Sequence, residues 1–201
     1  DWQRAADAAN TGIVQVHGYV LEWTMADEEV RTAGRDGVAM LIADAEHANR
    51  LSRPFLFGEV GYQGTEQMNY GNDLDHAGLL LRQQAWAGFL LGGCGSGMGW
   101  WWDVHIDERR LWDQYRGLAQ AVKRIDWRDR GLLPLTPNPS GPLRVLGWRS
   151  STQALLWPQP RADTWYAHLI EKKPRPRGVP MRMTLGGFTA STAFTVTQLD
   201  Q

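Results

Sequence analysis

Glu59 closes the apolar run Phe55-Leu56-Phe57-Gly58, and of the acidic residues in this sequence it is the one best placed to do chemistry. A carboxylate at the end of such a run can act as a nucleophile or a base, or it can simply finish a strand in solvent. The Phe-Gly-Glu triplet taken alone favours the last of these. Two further sets of residues change the balance. His17 and Tyr19 stand at the end of another short apolar segment, residues 13–17, and both side chains can donate a hydrogen bond. Trp100, Trp101, Trp102 and Asp103 follow a glycine-rich run. Tryptophan offers a flat, amphipathic surface that stacks on sugars or bases and also fills cores. The chain has 11 Trp against 5 Phe and 5 Tyr, and core filling explains three in succession less well than a stacking surface does.

Other residues have plainer readings. Gly92-Gly93-Cys94-Gly95-Ser96-Gly97 has the texture of a phosphate loop, but it leads into a Trp-rich run and not into a helix. Cys94 is the only cysteine, which excludes an internal disulfide and a cysteine zinc site. With no evident base beside it, Cys94 is expected to be buried and inert. His76 and His105 are expected at the surface.

The elements that must position these groups alternate. Residues 13–17 form a β-branched run between Gly12 and Gly18 and predict a buried strand. Asp27 caps an expected helix with Glu28 and Glu29 in its first turn and Val38, Leu41, Ile42 and Ala45 on its apolar stripe. Arg53-Pro54 breaks that helix, and residues 55–59 read as a second buried strand. Leu74, Ala77, Leu81, Ala85 and Gly88 mark another helix, widened by Leu80 and Trp86. A third strand lies within residues 90–102. Asp107 is expected to cap a helix burying Leu111, Tyr115, Leu118, Val122 and Ile125. Strands and helices in this alternation imply a parallel sheet built from βαβ units, an α/β fold. Strand alternation would put Phe55, Phe57 and Glu59 on one face. After Trp127 the texture changes: residues 131–142 are rich in proline and turn formers, and short strands are expected at 143–146, 154–157, 181–185 and 193–196.

Bulk properties remove several functions. A formal net charge of −1, with no long run of one sign, gives no electrostatic footprint for nucleic acid or an anionic membrane. The basic residues among 172–177 alternate with prolines and read as an exposed loop. No stretch of about 18 apolar residues is present, so no membrane span is expected. The first residues carry no secretion signal and read as the interior of a helix.

Residues 16–19, 54–61 and 97–103, in this order and with helix-length spacers, resemble the C-terminal half of a clan A glycoside hydrolase of the family 5 cellulase and mannanase type. The resemblance implies a partial (β/α)8 TIM barrel over residues 1–130, holding strands six to eight with their helices. A linker at 131–142 and a small β-sandwich domain at 143–201, which could itself be cut short, would follow. In such enzymes the position of Glu59 is the nucleophile that forms a glycosyl-enzyme. Tyr19 would orient it, His17 would line the sugar site, and Trp100 would be the floor of the subsite, with Trp102 close behind. Asp103 would bind a sugar hydroxyl or merely end the strand, and Trp23 and Tyr62 would flank the cleft. The resemblance implies no cofactor and no metal, no obligate protein partner, and an extracellular or periplasmic setting. It also implies a second carboxylate roughly 5–5.5 Å from the first as acid/base, carried by an Asn-Glu pair after strand four. The sequence contains no such pair, and neither Glu22 nor Glu66 matches that position, so the acid/base and the first five units are expected upstream of Asp1 and the chain alone is expected to be inactive. The rival expectation is a carbohydrate-binding relative that uses the same aromatic cleft without turnover. A third is an unrelated α/β enzyme in which the tryptophans only pack.

Overall fold

The computed structural model describes residues 12–20, 27–51, 53–64, 70–138, 140–176, 183, 184, 186–188, 193 and 195–198. Strand β1 (Val14–Val20) pairs in parallel with β2 (Phe55–Tyr62). On its other edge β2 meets the glycine-rich segment through a parallel bridge between Val60 and Gly99. The amide of Val60 donates to Met98, and that of Trp100 donates back to Val60. β2 is therefore bonded along both edges, with the three segments side by side in chain order.

Two helices cover one face of this layer, α2 (Gly37–Ala48) against β1 and α4 (Leu79–Leu90) against β2. α4 comes close to the glycine-rich segment because side chains are missing there. A Cβ on Gly88 would fall 2.5 Å from the Gly97 nitrogen, and one on Gly97 would fall 2.4 Å from the Gln84 carbonyl oxygen. The core between helices and strands gathers Val16, Leu41, Phe57, Val60 and Leu90.

The expected helices are each divided, and in two of them a buried or half-buried aspartate does it. The helix expected from Asp27 is α1 (Glu28–Gly34) followed by α2. Asp27 caps α1 as expected. Asp36 then accepts from the amides of Val38 and Ala39 and starts a new helix. The next expected helix is α3 (Tyr70–Leu74) followed by α4. Between them the fully buried Asp75 accepts from the amides of Leu79 and Leu80 and from the Tyr62 hydroxyl. The last expected helix is replaced by a π-helix (Trp102–Asp107), a 3-10 turn (Leu111–Tyr115) and α5 (Arg116–Val122). Arg110, at φ 56°, separates the first two. Asp107 does not cap there; it accepts from the Trp112 indole.

The C-terminal segment forms a three-stranded antiparallel sheet, β3 (Leu133–Pro134), β4 (Leu143–Arg149) and β5 (Ala154–Pro160), followed by α6 (Trp165–Leu169). β3 comes from the stretch expected to be a linker. The described residues among 181–185 and 193–196 are not in strands. Leu146 and Trp157 join the main core, where the Trp157 ring lies 5.9 Å from that of Trp86. Trp165 packs on Tyr62 and donates its indole N–H to the Gly34 carbonyl. Among the described residues no helix is long and apolar enough to cross a membrane.

Arg144 fastens the sheet to the helices. Its side chain is wholly buried, it grips both carboxylate oxygens of Asp36 at 2.7 and 2.8 Å, and its Nε donates to Gln159. The pair is unequal, since Asp36 keeps some solvent and its helix amides. Asp36→Ala should therefore cost about 3 kcal/mol or more, because it strands a buried guanidinium, whereas Arg144→Met should cost clearly less. Urea denaturation of both variants tests this; equal losses would show that burial of the arginine is not what makes the pair matter.

A second clasp lies beyond β5. Burial pushes the Asp163 carboxyl up, but Arg175 and His168, both bonded to it, outweigh burial and hold it below the ordinary range. A carboxyl lowered in the folded state adds stability above its unfolded value of about 3.9, and that stability is lost as pH falls through the folded value. The stability gap between wild type and Asp163→Asn should be full at pH 6 and shrink as pH drops below about 4. A gap that is constant in acid would contradict the assignment.

Candidate functional site

One extra residue in β2 sets the direction of Glu59. Val16 pairs with Phe57, but the next residue, His17, pairs with Glu59, leaving Gly58 as a bulge. Phe55 and Phe57 face the helices; after the bulge Val60 and Tyr62 do so, and Glu59 is left on the open face. This corrects the expectation that Phe55, Phe57 and Glu59 share a face. Unbroken alternation would have driven the carboxylate into the apolar layer, at a cost of several kcal/mol. The same shift corrects the expectation for Tyr62. It is 2% exposed and packed with Val20, Leu80 and Trp165, so its ring lies in the core.

Gln15, His17 and Tyr19 share the open face of β1, and their side chains form a chain of bonds to Glu59. The Tyr19 hydroxyl donates to Glu59 Oε2 at 2.6 Å. His17 Nδ1 lies 3.1 Å from the same oxygen. His17 Nε2 lies 2.8 Å from the amide nitrogen of Gln15. An amide NH2 can only donate, and Nε2 can accept from it in the tautomer that carries the imidazole proton on Nδ1, pointing at Glu59. Both donors thus converge on Oε2, and among the described residues Oε1 has no partner. The Glu59 side chain is 22% exposed. Burial, the hydrogen bond and the charge of Glu59 all raise Tyr19 well above the ordinary phenol value.

The tryptophans divide. Trp100 and Trp102 are exposed. Trp101 turns inward and donates its indole N–H to the Tyr62 carbonyl at 2.7 Å. The backbone of Trp100 is bonded to Val60, the neighbour of Glu59, which brings Trp100 to the same strand ends. Trp102 does not end a strand but opens the π-helix, whose first turn contains Asp103. Asp103 is exposed and accepts from the Val104 amide. Neither Trp102 nor Asp103 bonds to the Glu59 group. Trp23, like Glu22 and Glu66, lies outside the described residues.

Two background expectations are also reversed. Cys94 is exposed and His105 is buried, with His105 Nε2 bonded to the Asp75 carbonyl. Burial pushes the His105 imidazole down, although its bond to Asp75 opposes this. Among the described residues, no cluster of three or more His, Cys, Asp or Glu could hold a metal ion. Gln15 was missed in the sequence, though its signal was there: it shares the strand face of His17 and Tyr19 by simple alternation.

Comparison with protein-family models, with curated proteins and with solved structures gave no match.

The Tyr19–Glu59 bond has a measurable signature. Tyr19→Phe should cost about 1 kcal/mol, the usual net worth of a hydrogen bond. A hydroxyl raised in the folded state stabilises fully below the unfolded phenol value of about 10 and loses that contribution as pH rises beyond it. The difference between wild type and Tyr19→Phe in denaturation midpoint should therefore hold through neutral pH and begin to shrink above about pH 10. No difference at neutral pH would mean that the bond does not form.

Proposed function

We propose that Glu59 is the nucleophile of a retaining glycoside hydrolase acting on a β-linked glycan, in a partial (β/α)8 barrel of the family 5 type. The observation that carries this reading is the convergence of the Tyr19 hydroxyl and His17 Nδ1 on one oxygen of a carboxylate in the C-terminal half of a parallel strand bonded on both edges. Active sites of (β/α)8 barrels are built at that end of the strands.

In this reading two donors hold Oε2, and Oε1 attacks the anomeric carbon as the leaving oxygen is protonated. The glycosyl ester on Glu59 is then hydrolysed by water from the opposite side, with net retention. Trp100 would present an aromatic face to the sugar ring under attack. The chemistry also needs a second carboxyl group roughly 5–5.5 Å away as acid/base. The Asn-Glu pair that carries it in the resembled enzymes has no counterpart in these 201 residues, so in this reading that group comes from outside them.

In the polypeptide that carries this chain, Glu59→Gln should keep the fold and lower kcat on aryl β-glycosides by about 10⁴-fold or more, since an amide cannot form the ester. A 2-deoxy-2-fluoro glycoside with a good leaving group should label Glu59, located by peptide mass spectrometry. Label on another carboxylate, or unchanged turnover in Glu59→Gln, would remove the assignment. Saturable glycan binding without turnover would favour a binding protein that uses the same face.

A further inference from the structure

The proposed chemistry uses Glu59, Tyr19 and His17 but gives no part to Gln15, although Gln15 makes the outermost bond of the same chain. We infer that Gln15 is a positioning residue for Glu59: its amide holds His17 with Nε2 unprotonated and Nδ1–H aimed at the carboxylate, and the Gly58 bulge provides the space in which that amide sits. The inference rests on the nucleophile reading only for its catalytic consequence; the arrangement itself can be tested without turnover.

Two independent observations meet here. The first is the 2.8 Å contact between the Gln15 amide nitrogen and His17 Nε2. A donor facing Nε2 opposes a second proton there, because two N–H groups would then point at each other. His17 is thereby kept as a neutral donor to Glu59 and not as an imidazolium paired with it. An imidazolium would draw charge from the carboxylate that has to attack.

The second observation is the bulge. A Cβ on Gly58 would lie 2.3 Å from both the Cδ and the Nε2 of Gln15. The residue that turns Glu59 outward therefore also makes room, by having no side chain, for the amide that sets His17. Among the described residues, Glu59 from β2 is paired with His17, and Tyr19 from the same strand as His17 shares that carboxylate oxygen.

The test uses 15N spectroscopy of histidine-labelled protein, comparing wild type with Gln15→Ala, Gly58→Ala and the double variant. In wild type, the neutral imidazole of His17 should show the proton on Nδ1 and a hydrogen-bonded, unprotonated Nε2. Gln15→Ala removes the donor, so the 15N resonance of Nε2 should move toward that of a bare ring nitrogen with no hydrogen bond. Gly58→Ala, whose new methyl would fall on the side chain of Gln15, should move it similarly. The double variant should show no more than the larger single effect, because both changes break one contact. Far-UV circular dichroism establishes that each variant folds. A proton on Nε2 in wild type would overturn the inference, as would an unmoved Nε2 resonance in both single variants or additive shifts in the double. A role in packing alone leaves the Nε2 resonance unmoved.

In the polypeptide with glycosidase activity, Gln15→Ala should lower kcat several-fold and leave KM little changed, as expected for a residue that positions the nucleophile. If the spectroscopic shifts appear but no fluoro-glycoside labels Glu59, the function fails and the arrangement stands. If Glu59 is labelled but His17 does not respond, the inference about Gln15 fails by itself.

Discussion

A carboxylate within a buried strand cannot share that strand's apolar face, and β2 meets that constraint with one added residue. The bulge at Gly58 lets Phe55 and Phe57 fill the layer under α4 while Glu59 turns to the open side. After the bulge the alternation resumes in the opposite phase, which sends Tyr62 into the core to reach Asp75. Asp75 in turn satisfies the first amides of α4, the helix that covers β2. The direction of one side chain in the candidate site and the starting point of the covering helix are thus settled by the same register shift.

The aspartates have a comparable role on the other side of the molecule. Asp36 starts α2 and receives the buried guanidinium of Arg144, so the helix layer and the antiparallel sheet are fixed at one point in sequence and space. Trp165 adds a second attachment through its indole bond to Gly34, the last residue of α1. Loops that join helices usually tolerate change, but here the turns before α2 and α4 are held by side chains with few alternatives.

Much of the layout could be read from the sequence because period and punctuation carry it. The apolar run before His17, the Arg53-Pro54 break and the Asp27 cap all mark elements that exist close to where they are expected. The nearness of Tyr19 and Glu59 came from the resemblance and not from period or punctuation. What could not be read was anything that depends on one residue more or less. A glycine within a strand signals a bulge only in general, and nothing local says that Gly58 reverses the faces of Glu59 and Tyr62. Helix breaks were hidden for a related reason: Asp36 and Asp75 look like ordinary polar positions until their distant partners, Arg144 and Tyr62, are brought to them. Cys94 and His105 were misjudged because exposure depends on what packs above a residue, and a residue's type does not reveal that.

The strand that carries Glu59 is bonded on both edges, to β1 on one side and to Met98 and Trp100 on the other. Its amides therefore belong to the part of the sheet that opens last, and they would be expected to exchange with solvent deuterium among the slowest in the molecule. The side chain they carry is nonetheless in contact with water. Rigidity and accessibility, which usually trade against each other along a chain, are here divided between the backbone and the side chain of a single residue.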